Sequence, residues 1–382
     1  MITVILVGVL VIGALIAFHE FGHFVFAKLF GVGVKRFSIG FGRVLFSKKF
    51  GETEYALSLI PLGGYVSMVG ENDDDANPDP EKSFDKKSVW KRIVICLAGP
   101  GFNILLAFLL YTAAYFAYGI PMLTTQIGGV TKGLPAEKAG IVAGDIVIGV
   151  DIVSSSQGEG FNPVGKWEDL TEFIRKNERK ELRFLVLPKG KLPAAEIRVV
   201  PELQETKNLF GENEKRFIIG IQPAEPVFIK DAYKAVPAGA LKTASVIYLF
   251  GVGVGKIFFG SVSASESVGG PIKIVQILGQ IMGESGLMGV IFFSALISIN
   301  LGILNLLPIP MLDGGHISFL LIEWVRGNPV KKETQEKFFR FGSILLLMLM
   351  LFATFNDISR IVPSEIKSFL RSLFGLTEIG VH

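Results

Sequence analysis

Two histidines four residues apart bracket a glutamate in the run His19-Glu20-Phe21-Gly22-His23. On a helix, positions i and i+4 share a face, so both imidazoles reach one metal ion. Glu20 follows the first histidine and points to the neighbouring side, where a carboxylate can hold and deprotonate a metal-bound water. A catalytic zinc site needs a third protein ligand and an open position. The chain offers few candidates: its one cysteine is Cys96, and its other histidines are His316 and His382. An internal disulfide and a cysteine-built zinc cluster are therefore excluded. A second run, Asn305-Leu306-Leu307-Pro308-Ile309-Pro310-Met311-Leu312-Asp313-Gly314-Gly315-His316, supplies the remaining chemistry. Asp313 could give the missing carboxylate, and Asn305 an amide donor for a developing oxyanion. Spacing leaves two alternatives open. His316 is a rival ligand, although an orienting or structural role suits it better, and Asp313 could simply cap a helix over 317–325.

The elements that must position these groups belong to a membrane protein. Of 382 residues, 50% are apolar and 19% charged, with a mean hydropathy of +0.50; soluble domains run near a quarter charged. The net charge of +3 gives no footprint for nucleic acid. Positions 1–18 carry no charge and the run stays apolar to Ala27, long enough for a spanning helix of roughly 20 residues. Its first basic residue, Lys28, comes after the run, which argues against a cleaved signal peptide. His19 then lies ~27 Å along the helix from Met1, near the inner end. A carboxylate at mid-span costs ~2.5–3.5 kcal/mol on insertion scales, less near an end, so Glu20 implies a partner or a task.

Basic residues crowd 28–92, which the positive-inside rule places in the cytoplasm with the N-terminus outside. A second span over 93–118, containing Gly99-Pro100-Gly101 and Asn103, returns the chain outside. Positions 119–235 read as a small αβ module with an extension. Strand-like runs lie at 146–150 and 182–187, and helical spacing at 167–177. The stretch 236–260 contains Lys242, Lys256 and several glycines. It is expected to lie along the interface as an amphipathic helix, with a loop to 285. A third transmembrane segment, apolar over 286–307 and carrying the second motif, follows over 286–316, then a cytoplasmic segment over 317–337, a fourth span over 338–356 and an outer tail over 357–382. This arrangement brings Asp313 to the depth of His19 and His23. The acidic loop 72–81 is expected to be solvated. The expectation is a polytopic α-helical protein with four transmembrane helices and both termini outside.

The in-membrane HEFGH, the distal NLLPIPMLDGGH, the Gly99-Pro100-x-x-Asn103 pattern and the outer module together resemble the site-2 protease family of intramembrane zinc metalloproteases, in its bacterial RseP-type form. The resemblance covers essentially the whole chain. It implies one zinc ion held by His19, His23 and Asp313, with Glu20 as base and Asn305 assisting the reacting carbonyl. Two β-prone runs, 37–42 and 54–69, surround a Gly63-Gly64 turn. By resemblance they form a membrane-associated β-hairpin beside the active site. Its exposed edge would hold an unwound substrate by β-addition, through Glu54, Tyr55, Ala56, Leu57, Ser58, Gly63, Gly64 and Tyr65. The outer module resembles a PDZ domain in 133–140 and 142–150, with room for one such domain where the best-known relatives carry two. The implied setting is the bacterial cytoplasmic (inner) membrane. The implied substrates are single-pass membrane proteins already cut by an upstream protease, such as anti-sigma-factor-like regulators, together with remnant signal peptides.

Overall fold

A helix crosses lipid when a long apolar run keeps every backbone group bonded internally. The computed structural model describes residues 2–71, 79–153, 160–208, 211–259 and 271–361. Most of the acidic loop (72–78) and the tail beyond 361, both given places above, lie outside them. Among the described residues, five helices are long and apolar enough to cross a membrane: Ile2–Leu29, Val89–Tyr118, Ala232–Ile257, Ile272–Asn305 and Lys332–Thr354. This is a multi-pass membrane protein. Length and composition alone do not set the helix at 232–257 apart from the other four.

The chain forms two units, one of Met1–Ala114, Gly239–Gly255 and Ser263–His382, the other of Tyr115–Ala238 and Lys256–Val262. The first opens with α1 (Ile2–Leu29), followed by two long strands, β1 (Val34–Phe50) and β2 (Thr53–Met68), and by α2 (Val89–Tyr118). The strands pair antiparallel and double back on themselves. Phe37, Ser38 and Ile39 have Val66, Tyr65 and Gly64 opposite them on one side, and Tyr55, Ala56 and Leu57 on the other. The tight turn of this hairpin lies at Gly51 and Glu52. Gly63-Gly64, expected at a turn, instead sits inside β2. The glycines are needed there for close approach: a Cβ on Gly63 would meet the Phe41 ring, and one on Gly64 would lie 2.7 Å from the Ser38 carbonyl and 3.3 Å from Glu20 Cγ.

The stretch 61–68 runs along α1. The Pro61 carbonyl faces Gly13, Gly64 faces Glu20, and Val66 and Met68 share a core with Ala27, Val32, Val34 and Ile95. At the turn, Glu52 accepts hydrogen bonds from Lys28 Nζ (2.7 Å) and Lys82 Nζ (2.9 Å). Those two ammonium groups hold its carboxyl down to about 2, so the tie persists until strongly acid pH.

The second unit is an αβ module. It comprises β3 (Ile120–Met122), β4 (Ile127–Val130), α3 (Pro135–Lys138), β5 (Ile146–Ile152), β6 (Asn162–Pro163), α4 (Trp167–Lys176), β7 (Leu182–Leu187) and β8 (Ala195–Val199). After these come β9 (Glu202–Lys207), β10 (Asn213–Ile218), β11 (Ile221–Pro223) and β12 (Val227–Ile229). The main sheet has the order β6-β5-β7-β8, with the pairs β9-β10, β4-β11 and β3-β12 beside it. Alternation along β7 buries Leu182, Phe184 and Val186, and α4 covers them with Leu170 and Ile174.

Four helices complete the chain: α5 (Ala232–Phe258), α6 (Pro271–Asn305), α7 (Asp313–Arg326) and α8 (Lys332–Ile361). α6 is two limbs. Gly286 leaves helical geometry (φ 55°, ψ −142°) and the chain reverses, so that Gly289 packs back on Ile281 and Ser285. Before the reversal Gly8 faces Val275 and Leu278, while Gly279 faces Val4, so the first limb runs against the direction of α1. The second limb, 287–305, passes α2 where Gly302 meets Pro100 and Asn103, and ends beside His19. The stretch before Gly286, read from sequence as loop, is therefore helical.

Candidate metal centre

α1 and α2 cross at Gly22 and Gly99. A Cβ on Gly22 would lie 2.4 Å from the Ala98 carbonyl, and one on Gly99 would lie 2.3 Å from His23 Nε2 and 2.8 Å from His19 Cε1. The two imidazoles thus occupy space that any side chain at position 99 would fill. Both are buried, His19 at 5% exposure and His23 at 8%. Asp313 arrives from the first turn of α7, where a Cβ on Gly314 would collide with the Leu306 and Leu307 carbonyls.

His19 Nε2 lies 3.1 Å from Asp313 Oδ2, His23 Nε2 lies 3.3 Å from Asp313 Oδ1, and the two Nε2 atoms are 3.2 Å apart. In a tetrahedral zinc site with bonds near 2.0–2.1 Å, ligand atoms stand about 3.3 Å apart. The three observed separations match one face of such a tetrahedron. Asp313 Oδ2 is buried and accepts no hydrogen bond among the described residues. A cation satisfies that oxygen and removes the lone-pair contact between the imidazoles, so these residues fit zinc. Among the described residues, His19, His23 and Asp313 are the one group of three or more His, Cys, Asp or Glu placed to hold a metal.

A zinc-binding Nε2 requires the proton on Nδ1, and both rings find a partner there. His23 Nδ1 donates to the Ile95 carbonyl (2.8 Å). His19 Nδ1 is 2.9 Å from the amide of Asn103, whose Oδ1 is otherwise buried without a partner. The amide orientation that satisfies both groups puts Oδ1 on His19 Nδ1–H. Ser298 Oγ donates to the Asn103 carbonyl (2.7 Å), fastening α2 to α6.

Glu20 turns to the sheet side of α1. Its carboxylate accepts the Val66 amide hydrogen, and Gly64 lies against its Cγ. Asn305 Nδ2 stands 3.3 Å from His19 Nε2, at the end of α6. His316 does not join the ligand group; its ring stacks on Phe339 at 4.4 Å. The substrate candidates in the hairpin divide. Gly63, Gly64 and Tyr65 lie on the stretch that passes Glu20, whereas 54–58 are separated from it by 37–39. Ala56 and Ser58 are buried, Tyr55 and Leu57 exposed. Glu54 pairs with Arg36 (2.7 Å), which also donates to the Tyr65 hydroxyl (3.2 Å). The Ile95 carbonyl was invisible to motif reading because a backbone oxygen has no sequence signature. Asn103 is visible in the sequence as a polar residue within an apolar run and as the end of the Gly99-Pro100-x-x-Asn103 pattern, but neither names His19 as its partner.

A family model described as Peptidase family M50 matches residues 7–349. The chain belongs to the M50 (site-2 protease) family. Among similar proteins are ones provisionally named zinc metalloprotease in three bacteria. That of Campylobacter jejuni is 37% identical, the match covering 94% of each chain. That of Neisseria meningitidis is 31% identical over 91% of this chain and 97% of its own. That of Clostridium acetobutylicum is 32% identical over 93% and 97%. This M50 protein is accordingly a zinc-dependent membrane metalloprotease.

Proposed function

We propose that this M50 protease hydrolyses peptide bonds inside transmembrane segments of single-pass proteins, with His19, His23 and Asp313 holding the zinc. The observation that carries this reading is the cluster itself: two histidine nitrogens on a helix apolar enough to span converge with a carboxylate oxygen of Asp313 from α7, with a glutamate alongside. Bound there, zinc supplies Lewis acidity for activating water and polarising the scissile carbonyl. Glu20 takes the proton from the attacking water and passes it to the leaving amine. The Asn305 amide donates to the carbonyl oxygen as it gains charge. Ile95 and Asn103 keep each imidazole in the tautomer that presents Nε2. A substrate helix hides its carbonyls in i to i+4 bonds and must unwind first. The sheet stretch 63–65, next to Glu20, offers an extended partner to hold the unwound segment by β-addition.

In this reading α1 and the second limb of α6 both run from outside to inside, and the active site lies near the cytoplasmic face of the bacterial inner membrane. α5 then lies along the outer interface, giving four crossings with both termini outside. Two observations support that count. The second limb of α6 runs in the same sense as α1, and Lys256, near the end of α5, pairs with Glu212 on the turn between β9 and β10. The αβ module is then an outer PDZ-like domain. It either captures a new C-terminus left by an upstream protease or excludes substrates with large outer domains. Anti-sigma-factor-like regulators and remnant signal peptides are the substrate classes this arrangement suits.

The test uses purified full-length protein and a model transmembrane substrate. Wild type should carry about one zinc per chain. Glu20→Gln should keep the zinc and lose cleavage by at least ~10²-fold, the scale of general-base loss. Normal cleavage by the variant would remove Glu20 from the role of base.

A further inference from the structure

One face of α2 touches two of the three proposed ligands without supplying any. The Ile95 carbonyl orients His23 and Asn103 orients His19. One turn before Ile95, on the same face, stands Arg92. Its guanidinium meets the Glu323 carboxylate of α7 in a two-pronged pair, Nη1 to Oε2 at 3.1 Å and Nη2 to Oε1. Its third nitrogen, Nε, donates to the Lys87 carbonyl at 3.0 Å. Arg92 and Glu323 side chains are only 11% and 14% exposed. α7 is the helix whose first residue is Asp313, and no side chain caps its start.

We propose that the Arg92–Glu323 pair is a positioning clamp that sets the rotation and axial placement of α7 and thereby delivers Asp313 to the metal. An ion pair largely withdrawn from solvent is a poor device for stability alone, because its desolvation cost offsets much of its attraction. A bidentate pair adds direction. With the guanidinium also fixed by the Lys87 carbonyl, Glu323 is held in one orientation. The 14-residue α7 is then tied near its far end by Glu323 and wedged at its start by Gly314 and Gly315 against the 306–309 backbone. Through Arg92, Ile95 and Asn103, one helix face governs all three ligands.

This inference rests on the proposed ligand set, and the experiment separates the two. Zinc affinity is measured by chelator competition on the full-length protein in detergent for wild type, Glu323→Gln, Asp313→Ala, the double variant, and the reversed pair Arg92→Glu with Glu323→Arg. Asp313→Ala should weaken zinc; if it does not, the ligand set is wrong and the clamp falls with it. Given that loss, Glu323→Gln alone should weaken zinc about 10–100-fold, as loss of an orienting partner does. It should add nothing in the Asp313→Ala background, where no third ligand remains to be positioned. The reversed pair should recover most of the affinity. Wild-type zinc affinity in Glu323→Gln, or an equal further loss in the Asp313→Ala background, would overturn the clamp while leaving the ligand set standing. If Glu323→Gln does not fold, the reversed pair decides alone: near-normal zinc affinity upholds the clamp, and an unfolded or zinc-weakened protein overturns it.

Discussion

The proposed metal site leaves no room for a methyl group at position 99. The Cβ of an alanine would lie 2.3 Å from His23 Nε2, and both the helix crossing and the imidazoles are too closely packed to retreat. Gly99→Ala should therefore reduce bound zinc well below one per chain, measured by metal analysis of the purified protein. Full zinc occupancy in that variant would mean that the histidines do not face α2 as described. Asn103→Ala is a gentler test of the same wall. It removes the partner of His19 Nδ1 without a clash, so zinc affinity should drop about 10–100-fold while the helices remain folded.

Among the elements, α6 depends most on one backbone conformation. Gly286 sits at φ 55° and ψ −142°, close to a region essentially reserved for glycine. Gly286→Ala should cost about 1–3 kcal/mol, read as a lowered midpoint of thermal unfolding in detergent. An unchanged midpoint would show that the two limbs do not reverse there. The hairpin shows where pattern reading stops. Residue type marks 37–42 and 54–69 as β-prone, but the pairing register is a choice among surfaces that the pattern leaves equivalent. Gly63 and Gly64 therefore read as a turn, whereas they serve contact with Phe41 and α1.

For the molecule as a whole, the count of crossings turns on α5. Its apolar content resembles that of the other four candidate spans, and Lys256 near its end pairs with Glu212 on the β9–β10 turn. Cys96 is the one cysteine and is buried, so a single introduced thiol can be read against a quiet background. In intact cells with a permeabilised outer layer, Lys256→Cys should react with a membrane-impermeant thiol reagent. Reaction only after the inner membrane is opened would make α5 a crossing.

What the sequence determined by itself was chemistry whose cost in lipid made it legible. An HExxH pair at helical spacing, an aspartate after a broken apolar run and the absence of competing ligands narrow the proposed metal centre to a few residues without any knowledge of the fold. Spacing could not choose between Asp313 and His316, because that depends on which side of α7 faces α1. In the structure Asp313 stands beside the two histidines and His316 stacks on Phe339. The reversal at Gly286, the Ile95 carbonyl and the passage of 61–68 along α1 were likewise decided by tertiary packing. Each is a matter of backbone placement, and neither hydropathy nor residue type records where a carbonyl points or where an apolar run turns back.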